Sequence, residues 1–375
     1  MALAAWPFGV VFGDSVASHQ SVALLCALHT NAIYAYESDG GIHEGHRLPR
    51  NAAEQIAGVC AAVFDHDIAK SPSGFLKLPG HDAMDVCGMG GDKVVTPNVS
   101  TAAALVATVA GARLCKHGSP ANADKGRHGS SDFISMLGIN TLATAKDAAE
   151  CLRDLGFVYT EALDEQYKLI HKQTHGIANM PHMNDLIGPI TNPFDPHMLT
   201  KRVLGINDLM PPRLVAEAYK ILNERGYTNL QRGLFVRGYA TPGSEEGMDE
   251  LSICPGGTDV AELRDGVITE YHLNAEDFGL QPVPVESISP PQGVSKGDFT
   301  LSIIKGEIDG PAADMISANA ALLLCLDRGI SLHDKAGVKV CFDEASSILK
   351  SGAAHDLSQR VADRLPKYVM FDLFI

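Results

Sequence analysis

The spacing of apolar residues changes near residue 80. Before it, Val22, Leu24, Leu25 and Leu28 fall at helical intervals within residues 20–31, and Ile56, Val59, Cys60 and Val63 do so again behind Asn51. Asn51 with Glu54 three residues on reads as a capping box, so the first 70 residues are expected to be helical, interrupted by a glycine- and histidine-rich loop at 39–49. Ser71-Pro72-Ser73-Gly74 through Pro79-Gly80 has the composition of a linker.

Beyond residue 80 the pattern alternates between strand and helix. Met84 and Val86 end a strand, a helix follows at 102–110 and stops at Gly111, and Leu114-Cys115 mark a second strand. Gly129-Ser130-Ser131-Asp132 opens another helix, which ends near Leu137-Gly138. A helix at 145–155 is closed by Gly156, Phe157-Val158-Tyr159 reads as a short strand, 161–170 as a polar helix, and Gly188-Pro189 with Asn192-Pro193 as a stiff turn. An amphipathic helix at 214–224, ended by Gly226, precedes the strand Leu234-Phe235-Val236, and Asp265-Gly266 marks a hairpin within 260–273. Three helices, at 299–305, 312–326 and 336–351, fill the last third. Successive strand-loop-helix units predict a parallel α/β sheet with small and polar residues along its ligand edge.

With 375 residues the chain is long enough for two domains, since single cores stop growing at roughly 250 to 300 residues. A formal net charge of -15 argues against nucleic acid or an anionic membrane as a partner, although Arg113, Lys116, Lys125 and Arg127 gather basic charge around the second loop. Eight cysteines lie far apart without a Cys-x-x-Cys pair, which fits buried thiols in a reducing compartment and points to a cytoplasmic protein. The N-terminus lacks a basic stretch, Gly13-Asp14 breaks its apolar run, and no apolar run approaches the length of a membrane span.

Candidate chemistry centres on Cys87-Gly88-Met89-Gly90-Gly91-Asp92, a glycine loop at the end of a strand. Glycines let a backbone approach a ligand closely, and Ser100 or Thr101 behind Asn98 at a helix start leaves N–H groups aimed at an oxyanion. The loop is neither the dinucleotide pattern nor a P-loop, and a glycine-rich turn is its plain structural alternative; the neighbouring helix start adds a second anion-binding device. Gly247-Met248-Asp249-Glu250 fits either a solvated acidic turn, with Glu245 and Glu246, or a Mg²⁺ site that shares its shell with substrate phosphates. His171 and His175 share a helix face but lack a third ligand of suitable spacing, which favours a polar surface over a metal site.

Taken in order, Gly88-Met89-Gly90-Gly91-Asp92, Asn98-Val99-Ser100-Thr101, Lys116-His117-Gly118, Gly129-Ser130-Ser131-Asp132, Gly188-Pro189-x-x-Asn192-Pro193 and Gly247-Met248-Asp249-Glu250-Leu251-Ser252 resemble the anthranilate phosphoribosyltransferase family. Glu276-Asp277-Phe278-Gly279-Leu280 and the helix with Asn319-Ala320-Ala321 extend the likeness, which covers roughly residues 50–355. The resemblance implies a small N-terminal helical domain, 1–78 with 162–190 returning to it, and a larger α/β domain, 79–161 and 191–375. The larger domain would carry a central mixed, mostly parallel sheet of the nucleoside phosphorylase and phosphoribosyltransferase kind. The implied protein is a homodimer, and its implied activity is Mg²⁺-dependent transfer of ribose 5-phosphate from phosphoribosyl pyrophosphate to anthranilate in tryptophan biosynthesis.

By the same resemblance Gly88, Gly90, Gly91, Asp92, Asn98, Ser100, Thr101 and Lys116 would hold the donor, while Ser100, Asp249 and Glu250 would hold Mg²⁺. His117, Gly118 and Ser119 would face the acceptor, with Lys172 as its cationic contact. No general acid or base is assigned. The chain departs from the family pattern in Met89, which replaces a threonine, in Ser119, which replaces an asparagine, and in a 119–128 stretch about two residues longer that carries Ala123-Asp124 in place of two serines. Residues 168–185 contain no arginine, where the family uses one against the anthranilate carboxylate; Lys172 supplies a point charge without the bidentate fork. Alternatives are the same donor chemistry on another aromatic or nitrogenous acceptor, a non-catalytic nucleic-acid-binding relative, and a nucleoside phosphorylase. The retained Asp249-Glu250 pair weighs against the non-catalytic reading.

Overall fold

A computed structural model describes residues 48–69, 74–77, 82–90, 92, 94–118, 129–141, 143–161, 184–207, 210–244 and 247–365, with 23, 26 and 27 besides. The expected helix at 20–31 lies almost wholly outside the described residues, and the polar helix at 161–170 does so beyond Glu161, which ends a strand instead.

Ten α-helices and eight strands are found among the described residues. The helices are α1 (Leu48–Val63), α2 (Val99–Val109), α3 (Ser130–Met136), α4 (Ala145–Leu155), α5 (Asn184–Ile190), α6 (Pro212–Glu224), α7 (Lys296–Ile304), α8 (Pro311–Asp327), α9 (Lys335–Lys350) and α10 (Ala353–Arg364). The strands are β1 (Ala83–Gly88), β2 (Leu114–Gly118), β3 (Phe157–Glu161), β4 (Leu199–Gly205), β5 (Arg232–Tyr239), β6 (Gly247–Met248), β7 (Thr258–Arg264) and β8 (Val267–Leu273). They form one sheet in the order β3-β2-β1-β4-β5-β7-β8, with β6 paired to β5. The pairings from β3 through β5 are parallel, and β6, β7 and β8 add antiparallel pairs, so the sheet is mixed and mostly parallel as expected.

Successive residues of each central strand point to opposite faces, and both faces are covered. Val86, Val203 and Leu234 join the core shared with α2, α8, α9 and α10, while Cys87, Leu204 and Phe235 join the core shared with α1 and α6. The chain runs from β1 outward through β2 to β3, then returns to place β4 on the other side of β1. Such a reversal opens a crevice at the carboxyl ends of the two strands flanking it, here β1 and β4. Seven cysteines, all but Cys26, are buried thiols, as expected. Among the described residues no helix is long and apolar enough to cross a membrane.

Several boundaries differ from the sequence expectation. Helix α1 begins at Leu48, so Asn51 lies inside it; Pro49 near its start loses no helical bond, because first-turn N–H groups have no partner anyway. Gly188-Pro189 is not a turn but part of α5, where the proline removes only a bond to the carbonyl four residues back, in the helix's first turn. Helix α2 starts at Val99, three residues before the expected point, and a fourth C-terminal helix, α10, follows α9 after the break at Gly352, whose φ is 76°. Within the expected linker, Leu76 forms a bridge with Phe194, its N–H donating to Pro193 O at 3.0 Å.

Candidate phosphate and metal site

The crevice at the ends of β1 and β4 is where the glycine loop meets the Asp249-Glu250 turn. The turn lies directly across both strand ends: a Cβ at Gly88 would sit 2.1 Å from Asp249 Oδ2, and one at Gly205 would sit 1.5 Å from the Asp249 carbonyl. Both strands must therefore end in glycine for the turn to reach the loop. Gly90 N–H donates to Asp249 Oδ2 at 2.6 Å, Asp249 N–H donates to Asp92 Oδ2 at 2.7 Å, and Asn207 Nδ2 donates to Gly90 O at 2.9 Å.

This crosslinking gathers three acids. Carboxylate oxygens of Asp92, Asp249 and Glu250 all lie within 4.8 Å of one another. Burial, with the charges of Asp249 and Glu250 added, pushes the Asp92 carboxyl up to about 11. Burial and then Asp249 also raise Glu250, against the opposing field of Lys296. Glu250 Oε1 accepts from Thr96 Oγ1 at 3.0 Å, while the buried Oε2 has no hydrogen-bond partner among the described residues. Three converging carboxylates with an unsatisfied buried oxygen suit a hard divalent cation.

The anion-binding elements stand beside the acids. Asn98 occupies the N-cap of α2 without a side-chain capping bond; its N–H donates to Thr300 Oγ1 at 2.9 Å, and its Nδ2 reaches Gly129 O, the N-cap residue of α3, at 3.5 Å. The starts of two helices thus lie side by side. Lys116 is buried, with Nζ donating to Val86 O at 2.9 Å and Ser100 Oγ at 3.2 Å. Ser100, Ala103, Gly205, Asp249, Glu250 and Asn319 line the recess between them.

The sequence-predicted residues divide accordingly. Gly88, Gly90, Asp92, Asn98, Ser100, Lys116, Asp249 and Glu250 are brought together, with Asp92 beside the two acids expected at the metal. Thr101 faces the protein interior, fully buried. Gly118 packs beneath the Tyr159 hydroxyl at the end of β2, where a Cβ would lie 2.6 Å from that oxygen. His117 is 1% exposed and its ring points inward, Nε2 meeting Gly188 O at 2.8 Å while Nδ1 lies 3.1 Å from Asp85 Oδ2 without hydrogen-bond geometry. Gly91, Ser119 and Lys172 lie outside the described residues, as do the 119–128 stretch and His171 and His175.

Thr96, Gly205 and Asn207 at the site were not singled out from the sequence, nor were Asp85 and Arg202, a pair behind His117 with a 2.8 Å contact. Asp85 carried a legible signal, being a charge inside an otherwise apolar run of a strand buried on both faces; Arg202, which follows Thr200 and Lys201, carried none. Burial alone would raise Asp85, but Arg202 and then His117 hold its carboxyl below the usual range.

A doubly covered, mostly parallel sheet whose switch-point crevice joins a glycine loop, two helix starts and three carboxylates defines a protein suited to a phosphorylated ligand with a divalent cation. Residues 80–355 match the glycosyl transferase family, a/b domain, and the chain belongs to that family. Anthranilate phosphoribosyltransferase of Vibrio cholerae serotype O1 is 33% identical over 323 residues, spanning 85% of this chain and 87% of that protein. The protein of the same name from Thiobacillus denitrificans is 31% identical over 284 residues, 74% of each chain. Among solved structures, anthranilate phosphoribosyltransferase from Thermus thermophilus matches with a TM-score of 0.67 at 25% identity, over 97% of this chain and 99% of that one. The Saccharomyces cerevisiae protein in complex with PRPP and Mg shares the fold at a TM-score of 0.67 and 20% identity.

Proposed function

We propose that this protein transfers ribose 5-phosphate from phosphoribosyl pyrophosphate to the amino group of anthranilate, releasing pyrophosphate. The amine nitrogen forms the new bond to the anomeric carbon of ribose, the bond from that carbon to the pyrophosphate oxygen breaks, and its electron pair leaves with pyrophosphate. The nitrogen then sheds its proton to solvent. The observation that carries the reading is the meeting of Asp92, Asp249 and Glu250 over the Gly88–Gly90 loop, since such a cluster suits a cation and the loop suits an anion.

Asp249 and Glu250, with Asp92 and Ser100 alongside, would hold Mg²⁺, which would supply positive charge against that developing on the leaving group. Gly88, Gly90, Gly91, Asn98 and the Thr101 backbone position the phosphates around the α2 start, and Lys116 holds Ser100 in place from beneath. His117, Gly118, Ser119 and Lys172 form the acceptor side, with His117 acting through the contacts of its buried ring. The reading extends to a homodimer, to a helical domain of 1–78 with 162–190 beside an α/β domain of 79–161 and 191–375, and to a cytoplasmic role in tryptophan biosynthesis. One observation favours a second reading, the same donor with a different aromatic or nitrogenous acceptor: no arginine stands between 168 and 185 to clamp a carboxylate.

Pyrophosphate release measured with Mg²⁺, phosphoribosyl pyrophosphate and a panel of aromatic amines tests both. Anthranilate as the best acceptor supports the first reading, and a non-carboxylate amine as the best acceptor moves the assignment to the second. Silence across the panel overturns both.

A further inference from the structure

Gly188, Pro189 and Ile190 close α5, and their carbonyls belong to the last turn, where a helix offers no internal partner. All three are met by side chains from neighbouring elements. His117 on β2 engages Gly188 O through Nε2 at 2.8 Å. Arg202 on β4 donates to Pro189 O and, at 2.9 Å, to Ile190 O, which also accepts from Tyr219 OH on α6 at 3.0 Å. The same guanidinium pairs with Asp85 Oδ2 on β1 at 2.8 Å, the oxygen that His117 Nδ1 approaches at 3.1 Å. Asp85 and Arg202 face each other in register across β1 and β4, and neither exceeds 3% exposure.

We infer that Arg202 is a positioning residue for the acceptor half of the site: anchored by Asp85, its guanidinium fixes the end of α5 and, through that end and Asp85, the ring of His117. The inference rests on the proposed function, in which His117 and Gly118 belong to the acceptor side. Only a planar fork can serve two successive carbonyls and a carboxylate at once. A lysine at 202 would keep the charge pair with Asp85 but could not span the Pro189 and Ile190 carbonyls. The donor half is separate, because its loop is tied to Asp249 and Asn207.

The test is Arg202→Lys, compared with the full-length wild-type protein in steady-state kinetics of pyrophosphate release with Mg²⁺. The expected result is an acceptor KM raised about tenfold, with the KM for phosphoribosyl pyrophosphate changed less than about twofold. A purely structural role would move both constants together or neither. If Arg202→Lys does not fold, Tyr219→Phe, which removes one donor to Ile190 O, is expected to raise the acceptor KM about twofold. Unchanged acceptor KM in a folded variant, or a parallel rise of both constants, overturns the inference while wild-type turnover leaves the proposed reaction standing. No turnover in the wild-type protein overturns the reaction and the inference with it.

Discussion

Asp92, Asp249 and Glu250 face one another across the end of the sheet, whereas Asp85, inside the same sheet, lies between Arg202 and His117. Both groups are partly or fully buried carboxylates on β1 or at its end, yet their proton affinities move in opposite directions, Asp92 up to about 11 and Asp85 below the ordinary carboxylate range. The contrast shows how a fold separates a site from a support. A charge that the protein compensates itself stabilises the fold, and a charge left for a ligand costs stability until the ligand arrives.

Substitution should weigh most at the uncompensated cluster. Replacing Asp249 and Glu250 together by alanine should lower Mg²⁺-dependent pyrophosphate release by roughly a thousandfold, while calorimetric unfolding shows a metal-free fold at least as stable as wild type. Unchanged turnover would remove the metal assignment. Asp85→Asn should do the reverse, lowering stability by about 3 kcal/mol through an unpaired buried guanidinium, as read by urea unfolding at neutral pH. Because Asp85 is held low, its contribution is complete above the ordinary value near 4 and is lost as the pH falls below it, so the gap between wild type and variant should shrink in acid.

Gly205→Ala should cost about 2 kcal/mol and Gly88→Ala less, since the new methyl meets the Asp249 backbone in one case and a movable carboxylate in the other. Equal melting temperatures for the two would contradict the crossing of the turn over both strand ends. The mildest consequence is a slope. Burial and the neighbouring acids raise the Asp92 carboxyl in the metal-free folded state, so stability falls as pH rises above the ordinary carboxylate value near 4. Asp92→Asn should flatten that slope and stabilise the metal-free protein more at pH 9 than at pH 6.

Much of this architecture was legible in the chain. The Asp265-Gly266 hairpin and the Gly156 helix stop both rest on local chemistry, and each formed where expected. The pieces of the recess were legible for the same reason: a glycine loop, an N-cap and an acid pair are short segments with distinctive residues. The grouping of Asp92 with Asp249, 157 residues apart, was not, because it depends on the strand order that lays the Asp249 turn over Gly88 and Gly205. Arg202 was missed because β4 was not expected as a strand, and a lone arginine shows its partners only once β1 and β4 are paired. Pro189 misled because proline marks turns more often than helix ends.

On the proposed reading the crevice binds a phosphorylated donor through a cation held by Asp92, Asp249 and Glu250. Calorimetric titration of phosphoribosyl pyrophosphate into metal-free wild-type protein, repeated with Mg²⁺ present, puts that assignment to its sharpest test. Donor binding is expected to be at least roughly a hundredfold tighter with Mg²⁺, from the charge it neutralises. Equal affinity in the two titrations, or no binding in either, would contradict it.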